Sequence, residues 1–245
     1  MNPTQDNTVP VGATPTPLVA QRVPTSEETR TFFQKVYFWM FAGLVVSGIV
    51  ASMVASNENW LNFIFGTPYL FYALLIGEIL LVVWLSRGIN SMSSQMATIL
   101  YFIYCITTGI TLSIVCIAYT TASINTTLII TAGMFGIISL YGYTTKADLS
   151  RTGNIAFMGL IGLVLAGLVN MFVQNSMVDL ILSGVGVLVF TVLTAYDTQK
   201  IKNLANNVTP GSENSAKSSI IGALTLYLDF LNLFLDLLRF VGKRK

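Results

Sequence analysis

Four carboxylates lie inside long apolar runs of this sequence, where an isolated charge is costly unless it has a partner, water or a function. They are Glu78, Asp197, Asp229 and Asp236. Carboxyl groups in such surroundings can hold a proton or take up a hard cation transiently. Which of these applies depends on the elements that carry them.

The last apolar run carries a series of polar residues spaced by three or four positions, so that all of them share one face of a helix. The series is Gly222, Thr225, Asp229, Asn232, Asp236 and Arg239. This pattern predicts that the last helix lies in the middle of a bundle, with this face toward a cavity or pathway. Thr225, Asn232 and Asp236 would then line the pathway beside Asp229. For Asp236 we favour the alternative of an i,i+3 ion pair with Arg239 near the membrane surface.

Asp197 lies about one turn inside the end of the preceding apolar run, and Asp229 lies about two turns deeper in the next one. Consecutive spans are antiparallel, so the two carboxyls lie in the same half of the membrane and could face each other. Two like charges at low dielectric do not both ionise cheaply, so a facing pair shares one proton. Without that proton, two anions repel each other or recruit a cation. The alternative for Asp197 is an interfacial ion pair with Lys200.

Arg87 ends the second apolar run at the same membrane level, so it could pair with the carboxyls and close the opening between them. Considered by itself, Arg87 is equally well explained as a basic loop residue that sets the orientation of the chain in the membrane. Glu78 lies in mid-membrane on the same run, half a turn out of phase with Arg87, so these two do not pair with each other. Glu78 therefore needs another partner, a proton or water, and it is a further candidate for the pathway lining.

The composition identifies these apolar runs as membrane spans. Of 245 residues, 53% are hydrophobic and 10% are charged, whereas a soluble domain has roughly 25% charged residues. Seven runs are about as long as a bilayer requires: residues 36–55, 69–85, 99–119, 126–143, 155–173, 180–201 and 220–241. The sequence therefore predicts an all-α integral membrane protein, with a seven-helix transmembrane domain over residues 32–245. The competing topology has six spans and a re-entrant last segment.

The polar, proline-rich composition of residues 1–31 predicts a disordered tail. Lys and Arg are absent from three alternate connections, 56–68, 120–125 and 174–179, and present in the others. Because basic residues accumulate in cytoplasmic loops, the N-terminus is predicted to be cytoplasmic. Seven spans then place Lys243–Lys245 on the far side, against this rule.

The absence of histidine excludes Ser-His-Asp and Cys-His nucleophiles and histidine metal sites. The net charge of +2, without a basic patch interleaved with aromatic residues, argues against a nucleic-acid partner. We therefore expect no enzyme, no catalytic residue and no cofactor. The enzymatic alternative is an intramembrane aspartyl hydrolase, which would also use two aspartates on adjacent helices. The residues before Asp229 lack the glycines typical of the second aspartate in such proteases.

The sequence resembles the Bax inhibitor motif family of multi-span membrane proteins, in its bacterial branch. The most specific segments are Ala195–Gln199, with the sequence AYDTQ, and Leu226–Phe234, with the sequence LYLDFLNLF. Supporting similarities are the connection Thr144–Ser150 and the residues Glu78 and Arg87. The resemblance extends over nearly the whole chain after the tail.

This resemblance implies a fold whose last helix is central and is wrapped by two three-helix layers. It also implies a pH-dependent cation leak, chiefly of Ca²⁺, with Asp197 and Asp229 as the sensor and Arg87 as their gating partner. Two carboxylates do not form a cage of roughly six to eight oxygens, so Ca²⁺ should bind Asp197 and Asp229 weakly and transiently.

The expected partners are the lipid bilayer, Ca²⁺ as the transported ion, and H⁺ through the shared proton. The bacterial branch implies a multi-pass protein of the plasma membrane, which is the inner membrane of such a cell. A different class of function is also implied for bacterial relatives. In this alternative, the protein is a membrane-embedded modulator that binds and restrains another membrane protein, such as a membrane-bound protease.

Overall fold

The computed structural model describes residues 25–245, so most of the tail predicted over residues 1–31 lies outside the described residues. Eight helices follow one another along this part of the chain: α1 (Ser26–Ala55), α2 (Glu58–Phe65), α3 (Pro68–Gly88), α4 (Ser94–Ala118), α5 (Thr121–Thr144), α6 (Ser150–Val173), α7 (Ser176–Ala205) and α8 (Glu213–Val241). All except α2 are long and apolar enough to cross a membrane. The described residues form no strand, which confirms the all-α class.

The first helix begins inside the segment that was predicted to be a disordered tail, so that prediction was wrong for residues 26–31. A capping box fixes this start. The Thr25 hydroxyl accepts a hydrogen bond from the Glu28 N–H at 3.2 Å, and the Glu28 carboxylate accepts one from the Thr25 N–H at 3.0 Å. Such reciprocal bonds satisfy donors that a helix start otherwise leaves free. Because α1 extends beyond its apolar stretch, the length of that stretch did not reveal its beginning.

A short helix, α2, occupies a segment that the sequence analysis treated as a simple connection. The side chain of Asn57 caps it by accepting hydrogen bonds from the N–H groups of Asn59 and Trp60. Ile64 is buried, whereas Trp60 and Phe63 are exposed. Eight residues are too few to span a bilayer, so α2 adds a surface element without changing the number of spans.

The last helix is central. In its most apolar stretch 67% of the residues are buried, compared with 39% or less for the other six long helices. It packs against α1 and α4 on one side and against α5 and α7 on the other. The outer helices complete two groups of three, because α3 packs on α4 and α6 packs on α7. The arrangement confirms a central helix between two three-helix layers.

Residues 242–245, which follow α8, pair with the connection between α4 and α5. The Thr120 N–H donates to the Lys243 carbonyl at 3.1 Å, and the Lys245 N–H donates to the Ala118 carbonyl at 2.9 Å. The guanidinium of Arg244 lies over the ring of Tyr119. The basic residues thus lie at the opposite end of the bundle from the start of α1, as an odd number of spans requires.

Candidate functional site

Close packing between α7 and α8 sets the relative height of the two aspartates. Gly222 of α8 lies against Ile201 of α7, whose side-chain atoms are 3.5 Å from the position that a Cβ would occupy on the glycine. In this antiparallel register Asp197 lies level with position 226. Asp197 and Asp229 therefore differ in depth by about one turn, less than the two turns expected from the sequence.

The carboxyl groups of Asp197 and Asp229 are within hydrogen-bond distance of each other. Asp229 is only 5% exposed, whereas Asp197 is partly exposed. Two carboxyl groups can bond to each other only if one of them carries a proton, since an ionised carboxylate has no donor. The geometry is therefore that of a pair that holds a proton. Apart from this contact between the two carboxyl groups, Oδ2 of Asp229 is buried and accepts no hydrogen bond from the described residues.

The ammonium group of Lys200 acts electrostatically on Asp197, although the two side chains form no ion pair within 4 Å. Instead, the Lys200 Nζ lies 5.9 Å from the centre of the Tyr196 ring. The interfacial pair with Lys200, which was the alternative for Asp197, is thus present only as a longer-range attraction. The direct contact of Asp197 is with Asp229.

The residues around Asp197 hold the end of α7 against the connection between α5 and α6. The Gln199 side chain accepts a hydrogen bond from the Leu149 N–H at 2.9 Å and donates one to the Ala147 carbonyl at 2.8 Å. The Lys202 ammonium donates to the Tyr143 carbonyl at 2.7 Å. These bonds link two of the segments that carried the family resemblance, and they fix the helix turn on which Asp197 lies.

Asp148, in the same connection, is a different kind of carboxylate. Hydrogen bonds from Ser150 hold the pKa of Asp148 below its ordinary value, and the group is fully exposed. It therefore stays ionised across the physiological pH range. Asp148 therefore does not take up a proton near neutral pH.

Two of the residues predicted to line a pathway bond to the backbone of their own helix. The Thr225 hydroxyl donates to the Ile221 carbonyl at 3.0 Å, and the Asn232 amide donates to the Leu228 carbonyl at 2.8 Å. Both side chains are partly exposed. Their polar groups are thus satisfied inside the membrane without a second helix, and their role as pathway lining stays a prediction.

Asp236 has the ion pair that was favoured for it. Its carboxylate lies 3.9 Å from the guanidinium of Arg239, one turn along α8. It also packs against Gly186 of α7, where a side chain would collide with the carboxylate. Asp236 therefore has a structural partner of its own and lies about two turns from Asp229.

Glu78 also has a partner, which the sequence did not identify. The Thr111 hydroxyl of α4 donates a hydrogen bond to the Glu78 carboxylate of α3. This bond joins the outermost helix of the first layer to its neighbour, and Tyr104 lies close enough to interact electrostatically with Glu78. The carboxylate thus lies between α3 and α4, against the face of α4 that carries Tyr104 and Thr111.

The structure does not bring Arg87 to the acidic pair. Arg87 lies in the last turn of α3 with an exposed side chain, and α3 packs on the outer side of α4. Neither Asp197 nor Asp229 has Arg87 among the groups that act on it. The sequence placed Arg87 at the correct end of the bundle, but it could not specify which helix lies beside it.

The arrangement suits brief binding of a cation better than storage of one. Within residues 25–245, no group of three or more acidic, histidine or cysteine side chains converges to hold a metal ion. The pair alone supplies fewer oxygens than the roughly six to eight that surround Ca²⁺ in proteins. A cation at the pair would have to keep much of its water.

Sequence reasoning missed the polar contacts on the other side of α8. The hydroxyl groups of Tyr227 and Ser47 are 2.6 Å apart, and both residues are buried. The available signal was a tyrosine near the start of the segment Leu226–Phe234, two positions before Asp229. The sequence analysis quoted Tyr227 only as part of this segment and gave it no role.

Comparison with known sequences gives consistent matches over nearly the whole described chain. A profile of the family described as "Inhibitor of apoptosis-promoting Bax1" matches residues 29–245. Inner membrane protein YbhL of Escherichia coli (strain K12) is 46% identical over 217 residues, covering 88% of this chain and 93% of the relative.

Relatives from more distant bacteria match over similar lengths. An uncharacterized protein of Borreliella burgdorferi is 41% identical over 214 residues, covering 87% of this chain and 92% of its own. One from Rickettsia prowazekii is 39% identical over 219 residues, covering 89% and 92%. In each case both chains are matched over most of their length.

Proposed function

Because the chain belongs to the family of Bax inhibitor-like membrane proteins, we propose that it is a pH-sensitive Ca²⁺ leak channel gated by Asp197 and Asp229. The observation that carries the proposal is the contact between these two carboxyl groups, one of them buried, where α7 meets the central helix. The multi-pass membrane fold is consistent with it. The proposed function is not enzymatic and needs no cofactor.

The proton shared by the pair keeps the pathway closed. While one carboxyl is protonated, a hydrogen bond joins α7 to α8. When the proton leaves, two anions face each other in a medium of low dielectric, where their repulsion is much larger than in water. The helices then separate, or a cation enters between the carboxylates. The direction follows from this: raising the pH opens the pathway, and lowering it closes the pathway again.

Ca²⁺ is the proposed cargo because carboxylate oxygens suit a hard cation, and an incomplete set of ligands lets it leave again. Glu78, with Thr225, Asn232 and Asp236 of α8, is the proposed lining. Arg87 is proposed to act as the gating partner only after a movement of α3, the least buried of the long helices. We place the protein in the inner membrane of a bacterium, with the N-terminus in the cytoplasm.

The test is Ca²⁺ flux into dye-loaded proteoliposomes between about pH 6 and pH 8. Wild type should conduct more as the pH rises. Asp197→Asn and Asp229→Asn should lose this dependence, because an amide cannot give up the proton that an acid can. The matched control is Asp148→Asn, which neutralises an exposed carboxylate outside the spans whose pKa lies below its ordinary value. It should keep the wild-type pH profile.

Two results would contradict the proposal. Wild type that conducts no Ca²⁺ at any pH is not a leak channel. Asn variants that retain the wild-type profile would show that the pair is not the sensor. The alternative, a modulator that binds another membrane protein, is supported if wild type does not conduct while a partner is still recovered with Asp197→Asn.

A further inference from the structure

On the side of α8 opposite the acidic pair, a short chain of hydrogen bonds ties this helix to the first layer. The hydroxyl groups of Tyr227 in α8 and Ser47 in α1 are 2.6 Å apart. The Ser47 hydroxyl donates to the carbonyl of Cys105 in α4, at 2.7 Å, and lies 3.0 Å from the carbonyl of Gly43. Three helices therefore meet at one serine.

The direction of these bonds follows from counting protons. The hydroxyl of Ser47 has one proton, and both nearby carbonyl oxygens can only accept, so this proton goes to a carbonyl. The Tyr227 hydroxyl must then donate to Ser47. Tyr227 and Cys105 are 0% exposed and Ser47 is 1% exposed, so water cannot replace either bond while the layers stay together.

This chain lies across α8 from the acidic pair. Tyr227 precedes Asp229 by two positions, which is about 200° around a helix. The central helix is consequently fastened on both sides, to α7 through the carboxyl pair and to α1 and α4 through Ser47. A separation of α7 from α8 can be followed by movement of α8 only if the second fastening also breaks.

A second acceptor for the Tyr227 hydroxyl lies close by. The hydroxyl of Thr108 in α4 lies close to the hydroxyl groups of Tyr227 and Tyr104, is 7% exposed and forms no well-aligned hydrogen bond with the described residues. A buried polar group without a partner is unfavourable. Thr108 therefore favours an alternative arrangement in which it accepts the hydrogen bond from the tyrosine.

We propose that the Tyr227–Ser47 hydrogen bond is a second lock on the gate, and that Tyr227 transfers to Thr108 when the bundle opens. This inference rests on the proposed function, because it assigns a control element to the same gate. The ionisable groups around the lock are Tyr101, Tyr104 and Cys105 of α4. Glu78 of α3 acts in turn on Tyr104. At the pair, Lys200 acts on Asp197, which faces Asp229, and Tyr37 of α1 lies within hydrogen-bond distance of Thr198.

Two measurements test the lock with variants Tyr227→Phe and Ser47→Ala. The first is the Ca²⁺ flux into proteoliposomes. The second is the rate at which a membrane-permeant maleimide labels Cys105 in a Cys116→Ala background. Cys105 lies buried beside the lock, so its labelling reports separation of α8 from the first layer whether or not an ion passes. Thermal unfolding in detergent shows that each variant is folded.

Both variants should raise the flux and the labelling rate about fivefold, the factor that corresponds to one net buried hydrogen bond. In the double variant, Tyr227→Phe should add nothing to Ser47→Ala, because both changes remove the same bond. Thr108→Val, which removes the second acceptor, should lower both rates. The matched control is Ser113→Ala, since Ser113 is equally buried in α4 but bonds only to Ile110 of its own helix. It should leave both rates unchanged.

The results separate the two proposals. If no protein conducts but Tyr227→Phe and Ser47→Ala still speed the labelling of Cys105, the lock stands and the channel proposal fails. If both variants label and conduct like Ser113→Ala, the lock is overturned whatever the wild-type flux. Additive effects in the double variant would also overturn it, because they would show that Tyr227 and Ser47 act independently.

Discussion

Asp229 and Glu78 are both carboxylates within the membrane, yet their partners differ in kind. Asp229 faces another acid, so the number of protons at the contact decides whether the contact attracts or repels. Glu78 accepts a hydrogen bond from a threonine, which has no charge to lose. The first arrangement changes from attraction to repulsion when a proton leaves, whereas the Thr111 hydroxyl can donate to Glu78 in either protonation state of the carboxyl group.

We predict that Thr111→Val weakens this fastening. The substitution leaves Glu78 partly buried without its donor, which should lower the free energy of unfolding by about 1–3 kcal/mol. Thermal unfolding in detergent measures the change. The control is Thr107→Val, one turn earlier on α4, where the hydroxyl bonds only to the Tyr104 carbonyl of the same helix. Equal losses for the two variants would show that the bond to Glu78 does not matter.

At the scale of single residues, the sequence predicted what periodicity determines. The positions on α8 and the antiparallel order of spans were enough to bring Asp197 and Asp229 together. The partner of Glu78 and the position of Arg87 depend on how α3 is rotated and on which helix lies beside it. Hydrophobic periodicity reveals neither the rotation of α3 nor its neighbour, because α3 is apolar nearly all round.

At the scale of the elements, one turn of α7 makes two kinds of contact. It carries Asp197, and it also binds the connection between α5 and α6. Gln199 binds this connection by accepting a hydrogen bond from the Leu149 N–H and donating one to the Ala147 carbonyl. A backbone that is held in this way resists proteases, because cleavage requires a locally unfolded segment.

We predict that Gln199→Leu exposes this connection. Trypsin should cut after Lys146 faster than in wild type, since Leu149 and Ala147 lose their bonds to α7. Mass spectrometry of a digestion time course measures the rate. Asn203→Leu, at an exposed position one turn farther along α7, is the control and should be cut like wild type. Unchanged cleavage of Gln199→Leu would mean that the bonds do not secure the loop.

The elements themselves were largely predictable, and their ends were not. All seven spans lie where the apolar runs placed them, because the bilayer sets a minimum length for each. The helices continue past those runs at several ends, where caps such as Thr25 and Ser212 decide the boundary. Helix α2 was missed because eight residues of mixed polarity give no span signal.

For the whole molecule, the charge distribution predicts which end faces the cytoplasm. Five spans, α3 to α7, separate the exposed residues Asn59 and Asn207. In a chain without native cysteines, Asn59→Cys should react with a membrane-impermeant maleimide applied from outside. Asn207→Cys should react only after the membrane is opened. The reverse pattern would invert the orientation, and labelling of both from outside would contradict the number of spans.

The central place of α8 was predictable from its polar face together with the family resemblance, but the route of a pathway was not. The polar face contains both groups that bond to their own helix, such as Thr225 and Asn232, and the group that meets another helix, Asp229. Sequence spacing assigns all three to one surface. Only the packing of α7 against that surface distinguishes them.

The helix at the centre follows in the sequence every helix that it contacts, and this has a consequence for biogenesis. The six earlier spans are translated before the helix that fills the space between the two layers. Until then the layers present Ser47 and Asp197 to a space without the partners found in the finished bundle. The bundle can therefore be completed only after α8 has been made, and a nascent chain released before Glu213 lacks the helix against which both layers pack.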